Sequence, residues 1–458
     1  MTSEAPSDAP GSDGLNPDAP SPDVVVAGAG AAGVGVARAL GALGLNVLVL
    51  DRQRSASTLA KGEILQPETV RIVDGWGALA ALRATDARPV DRLAIRDPQG
   101  RSLLSLDYGS LPGNYRQILC AEYADLQTVL AEDLPANVQL RRGVRVTGPV
   151  RDDVGRVVGV EVMAGNTTTE ITAPLVVAAD GMSSSLRKAA GIEVERREYP
   201  HRLLAFDVAD AEVAAEVTAY RTVRGLCLVY PLPGGRCRLY VQVKPDEFRD
   251  GGTADLAGWF DRLLDDAPAL RPLQQAIRAS LHRRQLLAVY RLRARRLAVP
   301  GLALVGEAAH AVHPMAAQGV NSSLADAEAL AAALRAEGVL RGEAVLRAEG
   351  AAGSVDPAAV DRALTAFEAA RRSRLDHLAT VSHNASRMIT SVSGLPKLLG
   401  GRMMRRTAAN PRLLQLTAGN LSGTNLRPLG FADRLYQLGV LVDRHANAQP
   451  AVDLSEVR

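Results

Sequence analysis

Three stretches of this chain carry residue types and spacings that could do chemistry. Each combines glycine, an acid and the start of a helix. The first is Gly28-Ala-Gly30-Ala-Ala32-Gly33, set between the apolar run Val24–Ala27 and the helix-like run Val34–Leu43. Glycine at 28 permits a tight turn, and at 30 it lets the backbone approach a pyrophosphate. At 33 it lets helix and strand pack closely. The N–H groups that open the helix then face the phosphates. Val47–Leu50 reads as a second strand, and Asp51 at its end can accept hydrogen bonds from a ribose, with Arg52 beside it as a further candidate contact. The spacing alone suits any dinucleotide, and a glycine-rich turn in another α/β protein is the plainer alternative.

The second stretch is Asp180-Gly181, which follows the buried-type strand Leu175–Ala179 and leads into a helix start at Ser183–Ala190. The third begins where the short strand Leu302–Val305 ends in Gly306. Glu307, His310, His313-Pro314 and Gln318-Gly319-Val320-Asn321 follow, and then the helix pattern Ser322–Leu334. Strands far apart in sequence thus each feed a glycine-containing turn and a helix. Between them lie antiparallel patterns. Arg92–Arg96 and Leu103–Asp107 flank the turn Asp97–Gly100, and Val144–Val150, Arg156–Met163 and Thr167–Ile171 form a meander. The pattern is β again from Leu203 to about Val243, including Leu226–Tyr230 and Arg238–Val243. Helices are expected at about Glu68–Leu82, Ala124–Leu134 and Leu256–Leu281, and for everything beyond about Pro357. A second sheet woven through a nucleotide domain accounts for this order.

With 458 residues the chain can bury a sizeable core in two or three domains. Its net charge of +3 argues against nucleic acid as a partner. Cys120, Cys227 and Cys237 have neither metal spacing nor the even count of a disulfide framework, so we expect buried thiols, a reducing compartment and no metal. No apolar run approaches the roughly 20 residues of a membrane span. Residues 1–21, rich in Asp, Pro, Ser and Gly, read as a disordered leader without signal-peptide features. The expected location is cytoplasmic, with membrane association left open by the C-terminal region.

Taken together, the three stretches resemble the class A flavoprotein monooxygenases, the p-hydroxybenzoate hydroxylase-like family. Ala178-Ala-Asp180-Gly181-Met-Ser-Ser184-Ser-Leu-Arg187 is similar to the family's Asp-Gly motif, and Gly306–Asn321 to its Gly-Asp motif. The resemblance covers about residues 23 to 335. His-Pro-x-Ala-x-Gln-Gly-x-Asn at 313–321 is nearest to ubiquinone-biosynthesis hydroxylases, and Lys61-Gly-Glu-Ile-Leu-Gln66-Pro67 resembles a string of squalene epoxidases. The fold implied is α/β, a Rossmann-like FAD-binding domain interwoven with an antiparallel or mixed-sheet substrate domain, plus C-terminal helices. The implied boundaries are 22–90, 112–200 and 285–356 for FAD, 91–111 and 201–284 for substrate, 357–445 for the helices and 446–458 for a tail.

The resemblance reassigns the first motif to the ADP half of FAD. It implies that NADH or NADPH, bound transiently, reduces the flavin, and that O₂ adds to it as a C4a-hydroperoxide whose distal oxygen passes to an electron-rich carbon. Gly28, Gly30, Ala32, Gly33, Asp51, Arg52, Lys61, Asp180, Gly181, Gly306, Glu307, Gln318, Gly319, Val320 and Asn321 are the implied FAD contacts. Where the family has Asp this chain has Glu307, and where it has an Arg before a helix this chain has Tyr123; Arg116 is the substitute expected to reach FAD. Pro314 stiffens the turn after His313. The helix opening at Gln318–Asn321 aims its N–H groups and its dipole at the electron-rich edge of a reduced flavin.

The cofactor carries such chemistry, so no Ser-His-Asp or paired-carboxylate site is expected. Tyr230 and Tyr240 are either sheet-packing residues or hydrogen-bond partners of a substrate oxygen. His310 and His313 are either turn partners or proton relays. Gln66 either faces the pocket or caps a loop. The substrate is expected to be a small hydrophobic aromatic, quinone-like or prenylated compound, used in making a quinone or an aromatic secondary metabolite. A flavin-dependent prenyl reductase and a non-enzymatic FAD-binding protein are the competing readings. A halogenase is set aside, because Trp76 and Trp259 are the sole tryptophans and lie far apart.

Between Asp376 and Asp433 no acid occurs, while Arg387, Lys397, Arg402, Arg405, Arg406, Arg412 and Arg427 do. Residues 387–427 are therefore either a solvated basic face or a peripheral membrane contact. A monomer or a homodimer fits equally.

Overall fold

The computed structural model describes residues 21–55, 61–248, 255–339, 355–424 and 427–447. The leader assigned to 1–21 and the tail assigned to 446–458 therefore lie almost wholly outside the described residues.

A six-stranded sheet forms the first layer. Its strands run from edge to edge as Ala298–Val299, Leu302–Leu304, Leu175–Ala178, Val24–Ala27, Val47–Asp51 and Val138–Arg142, parallel except at the first edge. Every residue of Val24–Ala27 and Leu175–Ala178 is buried, as expected for parallel strands covered on both faces. The helix Ala31–Gly41 packs on one face beside Gly319–Ala336. A Cβ at Gly35 would stand 2.9 Å from Leu324 Cδ2, so glycine sets how closely the two helices approach.

The second sheet has eight strands, in the order His310–Ala311, Arg284–Ala294, Val194–Val208, Arg236–Val243, Leu226–Leu232, Val217–Arg221, Arg92–Arg96, Ser102–Asp107. Residues 194–200 and 285–294 thus lie in this sheet. The exposed, charged first half of Val194–Val208 gives no apolar signal of a strand. The meander is a separate antiparallel sheet of Arg145–Arg151, Val157–Ala164 and Thr167–Thr172. A small sheet of Ile64–Leu65, Ile118–Cys120 and Arg88–Val90 pins the 61–67 stretch.

Two expected helices are broken. Pro67–Gly75 and Leu79–Ala84 are separated at Trp76-Gly77, where Gly77 has φ +71°. Leu256–Asp266 gives way to a 3₁₀ turn at Pro268–Leu273 and then to Gln274–Ala279, because Pro268 and Pro272 cannot donate to an α-helical ladder. The C-terminal helices are Pro357–Thr390, Gly394–Ala408, Pro411–Ser422 and Phe431–Leu438. The first is capped by Asp356, whose side chain accepts from the N–H of Ala358 and Ala359. All three cysteines are buried free thiols.

Candidate active site

One cavity of about 610 Å³ begins at the glycine motif, passes between the two large sheets and ends among apolar side chains of the second. At its first end Gly28 has φ +103°, and a Cβ there would sit 2.4 Å from Ala179 O. A Cβ at Gly33 would sit 1.8 Å from Gly28 O, so strand, turn and helix are in contact at backbone distance. Asp51 and Arg52 line this end with Ala32. The Asp51 carboxylate accepts from the N–H of Ala29 (2.6 Å) and of Gln53 (2.7 Å), which holds the turn against the strand end.

Asp180, Gly181, Lys61 and Glu307 also line the cavity. Asp180 Oδ2 accepts from the N–H of Ser185 (2.8 Å). Lys61 and Glu307 form an ion pair at 3.3 Å. Burial works against the Lys61 ammonium, but Glu307 and the Tyr123 hydroxyl hold it above its ordinary value. Gly306, at φ +57°, donates to Asp326 Oδ2 (2.9 Å), which also takes His310 Nε2 (2.7 Å). Arg371 Nε holds the other oxygen at 2.8 Å. Burial pushes the Asp326 carboxyl up, and the charges of His310 and Arg371 overcome this and hold it below its usual value.

The helix Gly319–Ala336 begins on the cavity wall, which Gln318, Gly319, Val320 and Asn321 line. Two of these side chains are engaged elsewhere. Asn321 accepts from Gln66 N (2.8 Å) and donates to Ile64 O (3.2 Å), and Gln318 donates to Leu421 O (2.7 Å). What this element offers a ligand is therefore the N–H groups of its first turn. Pro314 and Met315 also line the cavity, and Ala317 beside them is held in the left-handed region at φ 48°.

The far end is walled by Leu203, Leu226, Leu228 and Leu287 with Tyr230, Tyr240 and Glu63. Glu63 is buried, and Arg238 binds it through two contacts, at 2.5 and 3.0 Å. The Tyr230 hydroxyl donates to the same carboxylate at 2.7 Å. Burial opposes the Arg238 guanidinium, yet its hydrogen bonds to Glu63 and that residue's charge hold it above its usual value, while burial pushes the Glu63 carboxyl up against the pull of Arg238 and Tyr230. Burial, then the charge of Glu63, pushes the Tyr230 hydroxyl well up.

Four residues named from the sequence stand away from the cavity. Arg116 is exposed and donates to Gly113 O, away from the cavity; Tyr123 stands on the wall instead, accepting from Ala31 N at 3.4 Å. Gln66 does not line the cavity, and its buried side chain makes no cap on the helix that follows it. His310 is spent on Asp326 and does not line the cavity. His313 turns away from the cavity. Its Nδ1 accepts from Met315 N (3.1 Å), so its Nε2 carries the hydrogen and donates to His201 Nε2 at 2.9 Å. Burial lowers His313 to about 3 and His201 to about 4, so neither is a proton carrier at neutral pH. Sequence reading missed Glu63, Arg238 and Tyr123. Glu63 stood inside a quoted motif, but its partner lies 175 residues away.

These residues fit FAD by two observations. Gly30 has ordinary backbone angles (φ −70°), and a Cβ there would meet nothing nearer than the Tyr123 hydroxyl at 3.5 Å. The protein itself does not need glycine there, whereas a pyrophosphate lying on the turn does. Asp180 Oδ1 is buried without a partner on the cavity wall, an acceptor left for a ligand hydroxyl.

A nucleotide cradle opening into an apolar chamber under a second sheet is the architecture of a flavoprotein monooxygenase. The chain belongs to the FAD binding domain family, whose model matches residues 21–348. It is 31% identical over 320 residues to a 6-methylpretetramide 4-monooxygenase of Streptomyces rimosus, covering 67% of this chain and 73% of that protein. It is also 31% identical over 323 residues to the ubiquinone hydroxylase UbiL of Rhodospirillum rubrum, covering 68% and 71%. Among solved structures it resembles P. aeruginosa PqsL in complex with 2-aminobenzoylacetate, at 25% identity and a TM-score of 0.69, covering 81% and 97%. The fold is thus the p-hydroxybenzoate hydroxylase-like one, and the enzyme is an FAD-dependent oxidoreductase of the hydroxylase class.

Proposed function

We propose that this enzyme uses NADH or NADPH and O₂ to place one oxygen atom on a hydrophobic, uncharged hydroxyaromatic or quinone-like substrate. The observation that carries the substrate class is the Glu63–Arg238–Tyr230 cluster at the end of an otherwise apolar chamber. A buried carboxylate held by Arg238 accepts a hydrogen bond from a ring hydroxyl, and a second anionic group, a substrate carboxylate or phosphate, would stand against it in a dry chamber. The names of the relatives, a pretetramide monooxygenase and a ubiquinone hydroxylase, support a bulky ring system of this kind.

FAD, when bound, supplies the redox chemistry with O₂; the chain supplies position and dryness. Gly28 to Gly33, Asp51 and Asp180 would hold the ADP half, and Lys61, Glu307 and the first turn of Gly319–Ala336 the remainder. Leu203, Leu226, Leu228 and Leu287 exclude water from the reacting end. The Tyr230 hydroxyl, held protonated by burial and Glu63, cannot act as a base near neutral pH. It fixes the Glu63 carboxylate, and its own oxygen accepts from a substrate hydroxyl.

The test is a panel of hydrophobic phenols and quinols offered to the purified yellow protein, followed by NAD(P)H oxidation, O₂ uptake and product mass. We expect a gain of one oxygen atom, and carboxylated analogues turned over at least about tenfold less efficiently, the order that an unfavourable buried charge imposes. Gain of two hydrogens without O₂ uptake would replace this reading with the reductase one.

A further inference from the structure

Ten large hydrophobic side chains are strongly exposed among the described residues, and seven of them fall between 392 and 442. Leu395 is 66% exposed, Leu398 72%, Phe431 81% and Val442 86%. The helix Gly394–Ala408 buries Gly400, Gly401, Met404 and Thr407 against the body of the protein. Its outer face carries Leu395, Leu398, Arg402 and Arg405, spaced three and four apart and therefore aligned along one side. Arg402 also reaches Gly439 O at 3.5 Å, which brings the exposed Val440–Val442 run alongside this face.

The charge on this surface is unbalanced. Asp376, the last acid before this helix, is taken by Arg293 at 2.8 Å, and Asp433 and Asp443 after it are both taken by Arg412, at 2.6 and 2.8 Å. Lys397, Arg402, Arg405 and Arg406 have no carboxylate partner among the described residues.

We infer that this face is a docking surface for an anionic lipid bilayer. Leucines flanked by cations on one side of a helix match an interface with an apolar interior and a negative surface. A second copy fits less well, because a two-fold contact would set these arginines against their own equivalents. No described helix is long and apolar enough to cross a membrane, so the contact is peripheral. The neighbouring helix Pro411–Ser422 carries Leu421, whose carbonyl holds Gln318 on the cavity wall, so the surface lies one helix from the chamber. The inference stands on this face alone and does not depend on the substrate reading.

The experiment is co-sedimentation of the flavin-loaded full chain with vesicles of phosphatidylcholine, with and without phosphatidylglycerol. We expect binding at least about tenfold stronger to the anionic vesicles, weakened by salt. The Leu395→Ser/Leu398→Ser and Arg402→Gln/Arg405→Gln variants should each lower it by about tenfold or more, with flavin content and NAD(P)H oxidation unchanged. Absence of binding to both vesicles, or equal binding to both, would overturn the inference. So would a dimer, seen by light scattering, that the leucine variant converts to monomer.

Discussion

Gly30 and Arg238 show how single positions divide between ligand and fold. Because a Cβ at Gly30 would meet no protein atom nearer than 3.5 Å, Gly30→Ala should leave the unfolding midpoint of the FAD-free protein unchanged. The same methyl occupies the space a pyrophosphate needs, so the FAD dissociation constant, followed by flavin fluorescence, should rise about tenfold or more. Equal affinity in the variant would mean that the turn does not touch the cofactor. Arg238→Met acts in the opposite way. It leaves Glu63 charged and buried without its partner, which costs about 3–5 kcal/mol in urea unfolding. A loss below about 1 kcal/mol would show that Glu63 is neutral, and the argument against anionic substrates would fall with it.

Two elements meet at the buried histidine pair, the strand Val194–Val208 carrying His201 and the turn Pro314–Ala316 preceded by His313. In the unfolded chain each histidine takes up a proton near its ordinary 6.5, whereas in the fold burial holds the pair at about 4 and 3. Below about 6.5 the unfolded state therefore binds more protons. The stability contributed by this contact is complete above that value and falls with pH through about 4 and 3. The urea midpoint should drop as the pH is lowered across this window, and His201→Leu/His313→Leu should flatten the slope. An unchanged slope in the double variant would show that other groups carry the acid sensitivity.

On the scale of the whole molecule, the cavity lies between the six-stranded sheet and the eight-stranded one, so a ligand filling it touches both. FAD added to the stripped protein at about a hundredfold excess over its dissociation constant should raise the unfolding free energy by about 2.7 kcal/mol. Both layers should then melt together at the higher temperature in calorimetry. A melting transition that ignores FAD would mean that one layer makes no contact with it. The long helix Pro357–Thr390 adds to this unity, since its Arg371 reaches Asp326 and thereby braces Gly306, the residue before Glu307 on the cavity wall.

Much of this was legible in the chain itself because it is written in local patterns. Val24–Ala27, Gly28–Gly33 and Asp51 specify strand, turn and helix by backbone sterics over about thirty residues, and Asp180-Gly181 and Gly306–Asn321 repeat the same logic. Those segments define the nucleotide cradle and the fold class, and their joint resemblance to one family points to FAD. What the sequence could not reveal depends on which distant strands lie side by side. Glu63 meets Arg238 across 175 residues, His201 meets His313 across 112, and Asp326 turns His310 into a structural group. A buried charge or an unprotonated histidine is a property of its surroundings, and only the tertiary structure sets those surroundings. The glycine turn could therefore be located from spacing, while the surroundings of His313, Gln66, Arg116 and Glu63 were decided by packing.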